Sequence, residues 1–304
     1  MRILFTIVLT LTISLCYPQQ RPLQSMYLFD QLLVNPAYSG LLNQLSATAM
    51  YRNQWVNMEG APKTFSATIH SSFRKNTMGL GLIAANDQIG IHNDASIYGT
   101  YAYRIKLNRK YTLSMGLQGG FNNIRSDFNK LSIKNQNDTQ LQGVIQNFNP
   151  NVGAGLFLRH DRHFLSFSVP YLINSRVLEG ISADLTIRHR YYYFMAGTAF
   201  DLSDNIRFMP SVLMRFQEKA PYGVDINGLL IFKRMVGLGA SYRLSQGFTG
   251  TFQLKLNENF RIAYAYDFTS EALRTSIAGS HEMMINYRFR LPGIHRGSVF
   301  PAYW

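Results

Sequence analysis

The sequence predicts an all-β protein: a transmembrane antiparallel β-barrel of about fourteen strands, preceded by a short N-terminal segment. Three observations predict it. Side chains alternate strictly at period two near the C-terminus, the composition is short of charge and rich in aromatics, and the connections alternate in length. The alternation is clearest between Asn259 and Leu291, where Phe260, Ile262, Tyr264, Tyr266 and Phe268 share one phase and Arg261, Ala263, Ala265 and Asp267 the other. After a break it resumes, with Met283, Ile285, Tyr287, Phe289 and Leu291 against Glu282, Asn286, Arg288 and Arg290. Only a strand changes sides at every residue, so these are two long strands with one apolar face each. A closed barrel satisfies its backbone internally while its outside meets hydrocarbon and its inside meets water.

Of the 304 residues, 46% are apolar, 13% aromatic and only 15% charged, whereas a soluble domain carries about a quarter charged residues. The mean hydropathy is -0.09 and no stretch beyond the leader reaches the length of apolar residues a spanning helix needs, which leaves strands to cross. Met1 and Arg2 followed by Ile3 to Leu15 form a basic and then an apolar region, a secretory signal cleaved before Tyr17. Acylation of Cys16 is the weaker reading, because Leu15 stands where a small residue is expected. Cys16 is the single cysteine, so the mature chain can form no disulfide. The net charge of +13 raises nucleic-acid binding. The basic residues, however, are dispersed over separate strands, and an exported chain leaves the cytoplasm.

The elements follow in order. Residues 1–16 are the signal peptide and 17–43 an N-terminal segment, a short helix or plug. Within it, Leu23, Met26, Tyr27, Asp30, Leu32 and Leu33 predict a helix over Pro22 to Val34 that stops before Asn35-Pro36. Asn35 to Gly40 reads as a turn. The barrel occupies 44–291, with strands near 44–55, 63–73, 78–86, 94–107, 110–124, 150–160, 163–172, 187–202, 206–217, 222–233, 235–245, 247–257, 259–269 and 280–291. Residues 292–304 form a periplasmic tail. Facing is ambiguous only at Tyr191 to Tyr193. The even-numbered connections are short (Arg74 to Thr77, Asn108-Arg109, Asp161-Arg162, Ser203 to Asn205, Arg234, Glu258), as expected of periplasmic turns. The odd-numbered ones are Val56 to Pro62, Asp87 to Asn93, Arg125 to Asn149, Ile173 to Thr186, Glu218 to Pro221 and Ser270 to Gly279, longer for the most part and expected outside; Gln246 alone breaks the alternation. Both termini are therefore expected in the periplasm.

Chemical motifs are weak. Gly79-x-Gly81-x-x-Ala84 imitates a dinucleotide fingerprint, but Gly-x-Gly recurs at Gly153 and Gly155 and at Gly237 and Gly239, always inside a strand with no helix following. Small inward positions that permit curvature or leave lumen space explain it better. His160-Asp161-Arg162-His163 could hold a metal, and a charged turn is the simpler reading. His281 and Glu282 point to opposite faces and cannot act as an acid/base pair. No catalytic, cofactor or metal site is predicted. The lumen-facing candidates are Arg243, Lys255, Arg261, Asp267, Glu282, Arg288 and Arg290, a basic excess that predicts a positive lumen.

Several motifs resemble the PorP/SprF family of outer-membrane proteins of the type IX secretion system of Bacteroidetes. They are Met26-Tyr27, Asn35-Pro36-Ala37-Tyr38-Ser39-Gly40, Tyr51-Arg52-Asn53-Gln54-Trp55, Glu59-Gly60-Ala61-Pro62-Lys63-Thr64, Tyr264 to Asp267, Gly279-Ser280-His281-Glu282 and Phe300-Pro301-Ala302-Tyr303-Trp304. Ser39 stands where Ala is expected, and Phe300 where a small residue or Cys usually precedes the proline. The resemblance implies a FadL-like barrel of fourteen strands in a Gram-negative outer membrane. It further implies a part in secreting or attaching proteins with a type IX C-terminal sorting domain, adhesins among them, and contacts with periplasmic components of the machine. The rival expectation is an outer-membrane transporter or porin for small solutes, which the fold alone supports equally.

Overall fold

The computed structural model describes residues 24–42, 44–130, 143–178, 185–188, 190–218, 221–244, 247–269 and 279–289. The expected signal peptide, the tail 292–304 and Arg290 lie outside the described residues, as do parts of the long connections.

Seventeen strands are described: β1 Leu45–Asn53, β2 Lys63–Phe73, β3 Met78–Ile89, β4 His92–Lys106, β5 Thr112–Asp127, β6 Val144–Arg159, β7 His163–Val169, β8 Ser175–Leu178, β9 Leu185–Arg188, β10 Tyr191–Thr198, β11 Phe200–Ser203, β12 Ile206–Gln217, β13 Gly223–Phe232, β14 Val236–Arg243, β15 Gly247–Lys255, β16 Phe260–Thr269 and β17 Ser280–Phe289. All but β8 and β9 form one sheet that closes on itself. The first and last strands pair from Leu45↔Phe289 to Asn53↔His281, and β10 bridges β7 and β12. Because β10 and β11 are one wall strand interrupted at Ala199, the barrel has fourteen antiparallel strands. Closure leaves no edge for lipid to meet.

The expected strand over 187–202 is corrected by this break. Residues Leu185–Arg188 instead pair with Ser175–Leu178 in a separate hairpin. The register, Gly197↔Ser211 before the gap and Phe200↔Phe208 after it, sets Pro210 opposite Thr198, the residue before the interruption. Proline brings no N–H to the β10–β12 ladder there, whereas on the other side the Ala199 N–H continues the pairing with β7 by donating to the Arg162 carbonyl at 2.9 Å.

The long connection expected at Asp87 to Asn93 is also corrected. Strands β3 and β4 stay paired up to Ile89↔His92, leaving Gly90, at φ +56°, and Ile91 as a tight turn. Likewise β5 and β6 remain paired to Asp127↔Val144, which shortens the loop expected over Arg125 to Asn149. The strands here run to 15 and 16 residues, against 7 in β7. The turns at the opposite end are short throughout, as their sequences predict.

Burial is inverted relative to a soluble domain. Leu80, Leu117, Ile226, Met283, Ile285 and Tyr287 are exposed on the outside, while Arg52, Asp225, Gln253, Glu282 and Arg288 are buried inside. The ambiguous tyrosines resolve with Tyr191 and Tyr193 inward, their rings 6.1 Å apart.

Candidate functional site

The interior is occupied by the chain's own N-terminal segment. Met26, Leu32, Ala37 and Leu41 have no exposure at all, and Tyr27 and Tyr38 almost none. Among the described residues, the expected helix over Pro22 to Val34 is corrected to two 3-10 turns, Ser25–Leu28 and Gln31–Leu33, and the expected turn over Asn35 to Gly40 contains a third, Pro36–Tyr38. The reason is local. The Asp30 carboxylate accepts from the Leu32 N–H at 3.1 Å and the Asn35 side chain from the Ala37 N–H at 2.9 Å, so each restarts the chain before a helix can lengthen. Pro36 then excludes a helical Asn35.

The lower half of this plug lies on a belt of small inward residues. Register aligns Ser72, Gly79, Ala102, Gly116, Gly155 and Ser168 in one row across β2 to β7. A methyl group at Gly155 would strike the Asn35 side chain, one at Gly116 the Ala37 backbone, and one at Gly79 the Ser39 carbonyl. Glycine is needed here because plug backbone touches wall backbone. Polar groups beside the belt fix the seat. Ser168 donates to the Val34 carbonyl at 2.6 Å and Ser114 to the Ala37 carbonyl at 2.7 Å. Asn35 donates to the Leu156 carbonyl at 3.0 Å, and the Gly40 N–H donates to His70 Nδ1 at 2.9 Å. Arg104 donates to the Ser39 carbonyl as well as to Asn76 and Met78.

The upper half is held by charge. The Ser25 and Met26 N–H groups donate to the two oxygens of Glu282 at 2.9 and 3.1 Å. Arg52 pairs with Glu282 and, at 2.8 Å, with Asp267. Beside them Asp225 binds Arg215 at 3.1 Å and Arg243 at 3.0 Å, and Asn227 donates to the Tyr27 hydroxyl at 3.0 Å. Burial pushes the Tyr27 and Tyr38 phenols up, so both remain neutral. Three carboxylates thus face three guanidiniums, which keeps buried charge paired.

Arg243, Asp267 and Glu282 of the sequence-derived set belong to this network. Lys255 pairs with Glu258 at 2.7 Å near a short turn. Arg288 bonds back to Asn286 at 2.7 Å, and Arg261 is buried with Nε and Nη1 unpartnered. Against the basic excess expected over the last four strands, the upper half is balanced by Asp225 of β13, which sequence reading left out. Arg52 and Arg215 were missed too, although both occupy the polar phase of their strands. Among the described residues no group of three potential metal ligands occurs. His160 and His163 stack at 5.4 Å in a turn.

Among solved structures, the fold is similar to a ΔS2 mutant of the TodX monoaromatic hydrocarbon channel at TM-score 0.54 and 10% identity, covering 86% of this chain and 94% of that one. It is also similar to the CymD monoaromatic hydrocarbon channel at TM-score 0.52 and 11% identity, covering 90% and 94%. At such identity the likeness establishes the outer-membrane barrel fold alone. A search among curated proteins finds no match. The family model of the type IX secretion system membrane protein PorP/SprF matches residues 17–287, which takes in the plug, the belt and the ion network together. The chain belongs to the PorP/SprF family of type IX secretion system membrane proteins.

Proposed function

We propose that this chain is a plugged docking component of the type IX secretion machine, required to secrete or retain at the surface proteins carrying a type IX C-terminal sorting domain, such as adhesins. The observation that carries the reading is the plug. A lumen filled by residues 24–42, seated on backbone contacts and buried ion pairs, is a poor conduit for solutes and a rigid platform for binding. In this reading the short turns and both termini face the periplasm and meet other components of the machine, and the long connections face outward. Choice among cargo resides in Arg125 to Asn149, Ile173 to Thr186 and Ser270 to Gly279, whose varied polar groups allow directional hydrogen bonds. The barrel performs no catalysis.

Affinity purification of the intact barrel from its native membrane tests this. A stoichiometric surface protein bearing the sorting domain is expected, and grafting the three connections from a paralogue is expected to exchange it. Large single-channel conductance without any stoichiometric partner would instead establish a porin.

A further inference from the structure

The chain's positive charge is concentrated where the sequence alone does not place it. Arg74 and Lys75, Arg109 and Lys110, and Lys233 and Arg234 are exposed pairs at the tips of three short turns, all at one end of the barrel. Arg162 in a turn and Arg207 near the start of β12 bind Asp201 at 3.1 and 2.7 Å, and the exposed acids of the short turns are Asp161, Asp204 and Glu258, the last paired with Lys255, so cations remain in excess at this end. At the opposite end, among the described residues, Glu59, Asp87, Asp127 and Glu218 are interspersed with Lys63, Arg125, Lys130, Arg176, Arg188 and Arg190, so both signs are mixed. Arg74, Lys75, Lys233 and Arg234 all adopt φ between +45° and +57°. Glycine and asparagine fill such hairpin positions more cheaply, so cations are kept there against the local preference.

Apolar side chains share the level of these cations. Leu107, Met235 and Leu256 lie within the same set of turns and are each at least half exposed. Phe73, Ile105 and Tyr111 flank them at the adjoining strand ends, also exposed. An acidic protein docking through water would leave those apolar groups wet. A lipid interface accommodates both, because acyl chains cover the apolar groups while phosphates meet the cations, and long Lys and Arg stems reach back to the headgroup plane.

We infer that the short-turn end carries a cationic collar that binds the phosphate headgroups of anionic phospholipids in the adjoining leaflet. The assignment to the inner, phospholipid leaflet of the outer membrane rests on the reading that the short turns face the periplasm.

The test uses the full-length barrel reconstituted in bilayers containing spin-labelled phosphatidylglycerol or phosphatidylcholine. Wild type is expected to select phosphatidylglycerol several-fold, with the preference falling as salt rises toward the point where the Debye length is about 3 Å. Joint substitution Arg74→Gln, Lys75→Gln, Arg109→Gln, Lys110→Gln, Lys233→Gln and Arg234→Gln is expected to bring selection to near parity. Lys63→Gln with Arg125→Gln and Lys130→Gln, at the other end, is expected to leave it unchanged. If the six-fold variant fails to assemble, the three pairs are neutralised separately, and each is expected to remove part of the preference. Absence of selection in wild type, or its persistence in the neutralised variants, overturns the collar. Orientation is tested apart from this: an Asn76→Cys variant labelled by a membrane-impermeant reagent on intact cells would overturn the leaflet while leaving the lipid preference standing.

Discussion

Gly116→Val probes whether the glycine belt seats the plug. A side chain at this position overlaps the backbone of Ala37 and Pro36, and neither backbone can give way as a flexible side chain could. Lifting the Asn35 to Gly40 turn off the wall forfeits at least two hydrogen bonds, from Ser114 to the Ala37 carbonyl and from Asn35 to the Leu156 carbonyl. These contribute roughly 1 kcal/mol each. Overpacking adds about 1 to 3 kcal/mol, so the docked state loses about 3 to 5 kcal/mol in all. That lowers the docked-to-undocked ratio by roughly a hundred-fold to a few thousand-fold. Gly119→Val is the matched control, since three residues along the same strand an added carbon meets nothing within 4 Å. The assay is labelling of a Ser39→Cys variant by a water-soluble maleimide, together with single-channel conductance in planar bilayers. Labelling and conductance should rise for Gly116→Val and stay low for Gly119→Val, with heat-modifiable barrel mobility kept by both. If the two glycine variants behave alike, close backbone contact at the belt is not what retains the plug.

Three further predictions concern the wall. Ile285→Arg puts a charge into lipid near mid-strand and should cost about 2 to 4 kcal/mol, seen as loss of heat-modifiable barrel, whereas Arg288→Gln should leave assembly intact. Glu282→Ala removes the acceptor of the Ser25 and Met26 N–H groups and one of the two carboxylates beside Arg52. It should destabilise the upper plug by about 3 to 5 kcal/mol, measured as protease access to residues 24–30, and an unchanged digestion pattern would refute the anchor. Arg261→Met replaces a buried guanidinium that lacks partners at Nε and Nη1, so thermal stability should hold or rise; a clear loss would mean that an unseen counter-charge sits there.

Some features were legible because they are local. The inward and outward phases of β14 to β17 follow from alternate residues alone, since a strand has no other way to dispose its side chains. Short turns at one end were legible from charged and polar pairs between apolar runs. The apolar content of Pro22 to Val34 suggests a helix, but Asp30 and Asn35 cap the backbone locally and favour single turns. The break at Ala199 is not legible locally because Pro210 lies across the sheet from Thr198, the residue before it, a neighbour that only register identifies.

By itself, then, the sequence determined the barrel, its strand number and the inward and outward phase of its clearly alternating strands, because these depend on a period of two and on what hydrocarbon tolerates. The tertiary structure decided what the inward residues meet. Gly79, Gly116 and Gly155 lie far apart along the chain, and only strand register aligns them into a seat for Asn35, Ala37 and Ser39. The same holds for charge. Arg52 and Glu282 become partners because the first strand closes against the last, and the cations of Arg74, Arg109 and Lys233 become one collar because every second turn returns to the same end. Register and closure are relations between distant segments, set by the hydrogen-bonded circuit of the whole sheet, and no local pattern encodes them.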